Sequence, residues 1–180
     1  MTTALLVIDL QNDYFADAEL ARCKADVLAA SNLLVRAARA AGALVVEAQT
    51  VHARDRSTWA LNMLDDDQGM AIEGTEGARR LDGLLEPDLC IVKTRDSAFY
   101  DTPLESRLRE RGVDRLVLAG VSTESCIAAT ATDAYARDLR VVLVDDATAS
   151  VEWRLHDETL ARLQRQYRQA VVPARRVRFD

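Results

Sequence analysis

The chain has 180 residues, the length of one domain. Hydrophobic residues make up 49% and charged residues 29%, which excludes a disordered chain, a collagen and a coiled coil. A formal net charge of −6 argues against nucleic acid as a partner and against an anionic membrane surface, yet leaves room for a small anion at a local site. The chain opens on an apolar run of five residues (4–8) that ends in Asp9 and lacks a basic segment before it, so neither a signal peptide nor a membrane span is expected. Cys23, Cys90 and Cys126 are widely spaced with no CxxC pair. That pattern suggests neither a zinc knuckle nor a disulfide scaffold, and a cytoplasmic protein with reduced thiols is the expectation.

In chain order, residues 4–9 read as a buried strand. Residues 27–41 form an expected helix with Leu28, Val35 and Ala38 on one face and Gly42 just past its end. Residues 43–48 are a second strand. Residues 49–74 show weak periodicity and read as a long functional loop, followed by a short helix at 78–85. A third strand covers 89–93. Thr102, Pro103 and Glu105 supply a cap, a first-turn proline and a capping-box glutamate for a helix running to Arg111, closed by Gly112. Then come a strand at 115–119, a helix from Cys126 to about Arg137, a strand at 140–144, a polar amphipathic helix at 153–168 and a short strand at 171–172. No repeat or linker interrupts the pattern, so residues 1–180 read as a single domain. Strands alternating with helices predict a doubly wound α/β fold, its parallel sheet covered on both faces.

Ligands of such sheets bind beyond the carboxyl ends of the strands. Strand one ends in Asp9, strand three in Lys93, and strand four runs into a segment that puts Cys126 at a helix start. The helix dipole and a nearby ammonium favour a thiolate there, and Asp9 is placed to act as the base. Backbone N–H groups at the same helix start suit an oxyanion. Taken singly, Asp9 reads as a turn residue, Lys93 as a solvated end, and a free cysteine as a small core hydrophobe. Cys23 and Cys90 are assigned that last reading.

Four segments in order, VIDLQNDYF (7–15), KTRDSAFYDT (93–102), GVSTESCIAATATDAY (120–135) and VDDATAS (144–150) followed by Glu152 and His156, make the sequence resemble the isochorismatase-like cysteine hydrolase superfamily. The resemblance implies a six-stranded, mostly parallel sheet in a Rossmann-like three-layer sandwich. It implies an Asp-Lys-Cys triad on Asp9, Lys93 and Cys126, and a cis peptide at Val121–Ser122. It also implies an oxyanion hole from the N–H groups of Ser122 and Cys126. The implied chemistry is covalent: Asp9 takes the Cys126 proton, the thiolate attacks an amide-like carbonyl, and water later releases the acyl group. The expected partner is a small-molecule substrate, and the expected assembly is a homo-oligomer, a dimer or tetramer.

Nicotinamidases of that superfamily hold a divalent metal through an Asp-x-His element, which reads Thr50-Val51-His52 here; the other histidine, His156, lies far along the chain. No metal and no cofactor are therefore expected, and His52 is assigned to the pocket or to capping the loop. The superfamily's vinyl-ether hydrolases carry a glutamine after strand two, which Gln49 matches, but they generally lack the cysteine. Retention of Cys126 favours an amide, ureido or lactam C–N bond, on substrates like those of streptothricin hydrolase, ureidoacrylate hydrolase or carbamoylsarcosine amidase. A vinyl-ether hydrolase and a non-catalytic small-molecule-binding protein are the alternatives. Phe15, Trp59, Phe99 and Tyr100 are candidate walls, and Arg54, Arg56 and Arg95 candidate carboxylate binders. There is no GxG, P-loop, HExxH or GxSxG motif. Arg162, Arg165 and Arg168 read as a solvated or subunit-contacting stripe.

Overall fold

The computed structural model describes residues 1–179. Six strands, β1 (Thr3–Ile8), β2 (Leu44–Thr50), β3 (Leu89–Lys93), β4 (Arg115–Val121), β5 (Arg140–Ala149) and β6 (Ala170–Val172), form one sheet in the order β3-β2-β1-β4-β5-β6. Every pairing is parallel. All six residues of β1 are buried because both sheet faces are covered. Ala4, Leu6 and Ile8 face one core, Leu5 and Val7 the other. Helix α1 (Ala18–Ala40) covers the second face, while α3 (Leu104–Arg109), α4 (Ala128–Tyr135) and α5 (Trp153–Tyr167) cover the first; the short α2 (Leu61–Asp65) lies in the long connection after β2. No helix among the described residues is long and apolar enough to cross a membrane.

Several boundaries move for physical reasons. Helix α1 begins nine residues before the expected position 27. Asp17 caps it, accepting from the N–H groups of Glu19 (2.8 Å) and Leu20 (3.1 Å), and the polar first turns hide the period. Asp17→Ala is expected to cost about 1 kcal/mol, read as a lower urea midpoint at unchanged slope; an unchanged midpoint would mean that the cap contributes nothing.

The expected helix at 78–85 does not form. Leu81 N–H donates to Leu10 O (2.8 Å), Asn12 N–H to Arg79 O (2.9 Å), and Asn32 on α1 bonds both Gly83 O and Leu85 N–H. These long-range bonds lay the segment along the chain that leaves β1, overriding local propensity. The Thr102–Glu105 capping box is absent too: Glu105 pairs with Arg109 (2.6 Å) and Arg137 (3.0 Å), and Pro103 occupies the cap. Strand β5 runs five residues past the expected end at 144, across a register shift that pairs Leu118 with Leu143 but Gly120 with Thr148. Asp145 and Asp146 sit in that irregular stretch and make it read as a loop.

The sheet reverses its winding between β1 and β4, which opens a crevice at the carboxyl ends of those strands. Gly120 allows the two strands to close there. Its φ is +119°, and a Cβ at that position would lie 1.9 Å from Ile8 O.

Candidate active site

Because β3, β2, β1 and β4 are neighbours, their ends present Lys93, Thr50, Asp9 and the turn bearing Cys126 side by side. Lys93 Nζ lies 2.8 Å from Asp9 Oδ2, and both side chains are fully buried. It also donates to Thr50 Oγ1 (2.8 Å) and Arg95 O (3.1 Å), with Cys126 Sγ at 3.5 Å. The ammonium thus bonds two oxygens and the sulfur, and its contact with Asp9 Oδ2 is an ion pair. Asp9 Oδ1 accepts from both the N–H and the hydroxyl of Thr50, each at 2.9 Å. The Thr50 hydroxyl gives its one proton to Asp9 and accepts from Lys93 and from Tyr14 OH (3.0 Å). Gln11 locks the Thr50 backbone from the other side, accepting from its N–H and donating to its C=O. A buried ion pair persists only when its remaining valences are satisfied in this way.

Cys126 lies in a single π-helical turn, Thr123–Ile127, that leads into α4, so the helical run starts three residues before the expected position. Ser122 O accepts the N–H groups of Ser125 (3.2 Å) and Ile127 (3.1 Å), the two neighbours of Cys126. The Val121–Ser122 peptide is cis. The turn is held from outside by His156, whose Nδ1 lies 2.8 Å from Thr123 Oγ1.

Electrostatics correct one sequence expectation. The helix start and Lys93 predict a favoured thiolate. In the fold Cys126 is 3% exposed, and burial, followed by the charge of Asp9, pushes the thiol up; the pull of Lys93 is outweighed. Burial thus opposes the thiolate that the helix start and Lys93 favour, beside an Asp9–Lys93 ion pair. Burial acts against the ammonium of Lys93, but Asp9 and the Cys126 sulfur outweigh it and raise Lys93. Burial also raises Tyr14, with Asp9 and Cys126 adding to it. Burial lowers both His52 and His156.

These directions set a pH window for stability. The folded chain holds the protons of Cys126, Lys93 and Tyr14 more tightly than the unfolded chain, so their contribution is full below the unfolded thiol value of about 8.5 and is lost as pH rises. The histidines favour their neutral form in the fold, so their contribution is full above about 6.5 and is lost as pH falls. Urea midpoints are expected to peak between about pH 6.5 and 8.5, with Cys126→Ala softening the alkaline decline. A wild-type midpoint still rising above about pH 9 would contradict this balance.

A cavity of about 760 Å³ opens onto Cys126, lined among others by Tyr14, Thr50, His52, Met63, Met70 and Arg95. Of the expected site residues, Asp9, Lys93 and Cys126 come together, and His52, Arg95 and Tyr100 line the cavity. Four expected contact residues lie elsewhere. Phe15 is buried in the α1-side core, and its neighbour Tyr14 faces the site. Phe99 is buried in the opposite core under the Arg137 guanidinium. Gln49 donates to Glu47 Oε1 (2.9 Å) and is not on the cavity wall; Thr50 takes the site position. Trp59 anchors the loop, donating to Ala53 O (3.1 Å) with its ring against Gly69.

Arg95 turns its guanidinium onto the carbonyls of Thr94, Thr58 and Trp59. Arg56 pairs with Asp67 (2.7 Å) and stacks on Trp59, and neither Arg56 nor Arg54 is on the cavity wall. Cys90 is exposed on the sheet-edge strand β3 and not in a core, while Cys23 is half-buried.

The residues here do not fit a metal. His52 Nδ1 is bonded to Thr58 O (2.9 Å), the Thr50 hydroxyl is committed to the ion pair, and His156 lies with Thr123. Among the described residues, no group of three or more His, Cys, Asp or Glu side chains is placed to hold a metal ion.

A family model for the isochorismatase domain matches residues 3–174. A probable inactive nicotinamidase of Arabidopsis thaliana is 40% identical over 164 residues, 86% of this chain and 84% of that protein. The ureidoacrylate amidohydrolase RutB of Methylorubrum extorquens is 34% identical over 172 residues, covering 82% of this chain and 69% of that protein. The crystal structure of N-carbamoylsarcosine amidase from Thermoplasma acidophilum superposes with a TM-score of 0.83 at 25% identity, over 98% of this chain and 99% of that one. With the family match spanning nearly its whole length, the chain belongs to the isochorismatase family.

Proposed function

We propose that the protein is a cysteine hydrolase that cleaves a C–N bond of a small amide, ureido or lactam substrate through a thioester on Cys126. The observation that carries this reading is the buried Asp9–Lys93 pair at 2.8 Å with Cys126 Sγ 3.5 Å from Lys93 Nζ, at the floor of a cavity sized for a small molecule. The amidohydrolase named among its relatives and the amidase among its structural neighbours support the reaction class. Asp9 Oδ2, which accepts no hydrogen bond from Thr50, takes the Cys126 proton as sulfur attacks the carbonyl carbon. The oxyanion rests on the N–H groups of Ser122 and Cys126. Collapse breaks the C–N bond, and Asp9 returns the proton to the leaving nitrogen. Asp9 then draws a proton from water, hydroxide adds to the thioester, and the acid departs as sulfur regains its proton. Lys93 and Thr50 hold Asp9 in place and balance its charge throughout.

A thiol that burial pushes up fits this order, because ionisation is coupled to attack. It also means that a slow reaction with a simple alkylating reagent does not identify a mere binding protein. The relative named a probable inactive nicotinamidase favours that binding reading; the satisfied ion pair beside the thiol favours catalysis. The vinyl-ether reading loses its support, since Gln49 faces Glu47. The test is ammonia or amine release from a panel of small amides, ureido acids and lactams, with isochorismate alongside. Release from a C–N substrate that chelators leave intact is the expected result. Turnover of isochorismate alone overturns the proposal.

A further inference from the structure

Two carboxylates flank the nucleophile, and they differ in what can reach them. Asp9 is fully buried, with Oδ1 holding the Thr50 N–H and hydroxyl and Oδ2 facing Lys93. Asp96 is exposed, three residues past Lys93 at the end of β3, and its Oδ1 lies 3.8 Å from Cys126 Sγ. That contact is the only side-chain hydrogen bond Asp96 makes among the described residues, and it joins no ion pair there. Asp96 lines both the cavity and an adjoining groove that runs past Ser125 to Arg162. It therefore stands between the sulfur and solvent with most of its acceptor capacity unused.

Hydrolysis of a thioester makes a demand that the buried pair does not meet alone. The attacking water carries two protons. Asp9 takes one of them, and the other needs an acceptor if the water is to be held with a lone pair aimed at the acyl carbon. The Thr50 hydroxyl does not serve, because it already accepts from Lys93 and Tyr14. Lys93 and the Arg95 guanidinium on the cavity wall offer donors only.

We propose that Asp96 is that second acceptor: it holds the hydrolytic water over the acylated Cys126 while Asp9 removes the proton that leaves. This rests on the thioester reading of the same site. In the step a C–O bond forms and the C–S bond breaks. One water proton passes through Asp9 to sulfur. The other, held by Asp96, stays on the oxygen that departs in the product acid. Loss of Asp96 therefore falls on release of the acyl group and not on its loading.

The test uses p-nitrophenyl acetate, whose phenolate leaves without taking a proton. Phenolate release reads the loading of Cys126. Loss of the acetyl mass from the Cys126 peptide, in samples quenched in acid, reads its hydrolysis. Asp96→Ala is expected to load as fast as wild type or faster, because a charge that opposes the thiolate is gone. It is expected to hydrolyse the acetyl group about 10-fold or more slowly. Asp96→Asn, which keeps an oxygen acceptor, is expected to recover part of that rate. A merely structural role would slow loading, so loading is the internal control for folding. Equal acetyl hydrolysis in wild type and Asp96→Ala, or a loss confined to loading, overturns the inference and leaves the thioester reading standing. Wild type that takes up no acetyl on Cys126, or never releases it, removes the thioester reading and the inference with it.

Discussion

Cys126→Ala is expected to lower amide turnover by about 10⁴-fold or more, with the fold intact. The Thr50 hydroxyl is held between Asp9 and Lys93, which leaves sulfur as the nucleophile beside the pair, and the remaining oxyanion donors cannot replace a covalent step. Cys126 is packed with Ile127 and Ala131 in the core on the α4 face, so the loss of one atom is expected to cost about 1 kcal/mol, which circular dichroism and urea unfolding would register as a small shift. Turnover that survives the substitution within about tenfold would remove the thioester from the mechanism.

The second large effect concerns stability. Lys93→Met is expected to destabilise the fold by about 3–5 kcal/mol, because it strands the Asp9 carboxylate, itself fully buried, without its counter-charge. Asp9→Asn leaves the Lys93 ammonium stranded in the same way. The double variant Asp9→Asn/Lys93→Met removes both charges, and the asparagine Oδ1 still accepts from the Thr50 N–H and hydroxyl. It is expected to regain most of the lost stability while remaining inactive. Urea unfolding of the four proteins measures the coupling directly. Single variants that each lose less than about 1 kcal/mol would show that the pair is solvated, not buried.

These two effects fall on residues that the sequence alone makes visible. Asp9, Lys93 and Cys126 are polar interruptions at the ends of apolar runs, and a doubly wound sheet sends such ends to one edge. The strands themselves are legible because burial on both faces leaves continuous aliphatic runs. What is hidden is parity. Gln49 and Thr50 are adjacent in β2, and alternation turns them to opposite faces; the site takes the threonine and Glu47 takes the glutamine. Tyr14 and Phe15, in a 3-10 turn, and Tyr100 and Phe99, in a loop, also divide between cavity and core, by turn geometry and not by strand alternation.

Position 50 carries a further lesson. Its threonine stands at the first place of the expected Asp-x-His element, and its side chain bonds both members of the ion pair. The expected helix at 78–85 fails for a different reason. Its fate is set by bonds to Leu10, Asn12 and Asn32, which are distant in sequence and carry no local signal.

The central claim is a covalent acyl group on Cys126, and the most direct measurement is mass spectrometry of the protein quenched in acid during turnover of its best C–N substrate. The account predicts a mass increase equal to the acyl fragment, confined to the peptide that contains Cys126, released by hydroxylamine and absent from Cys126→Ala. Steady turnover with unmodified protein at every quench time, joined to activity that persists in Cys126→Ala, would contradict it.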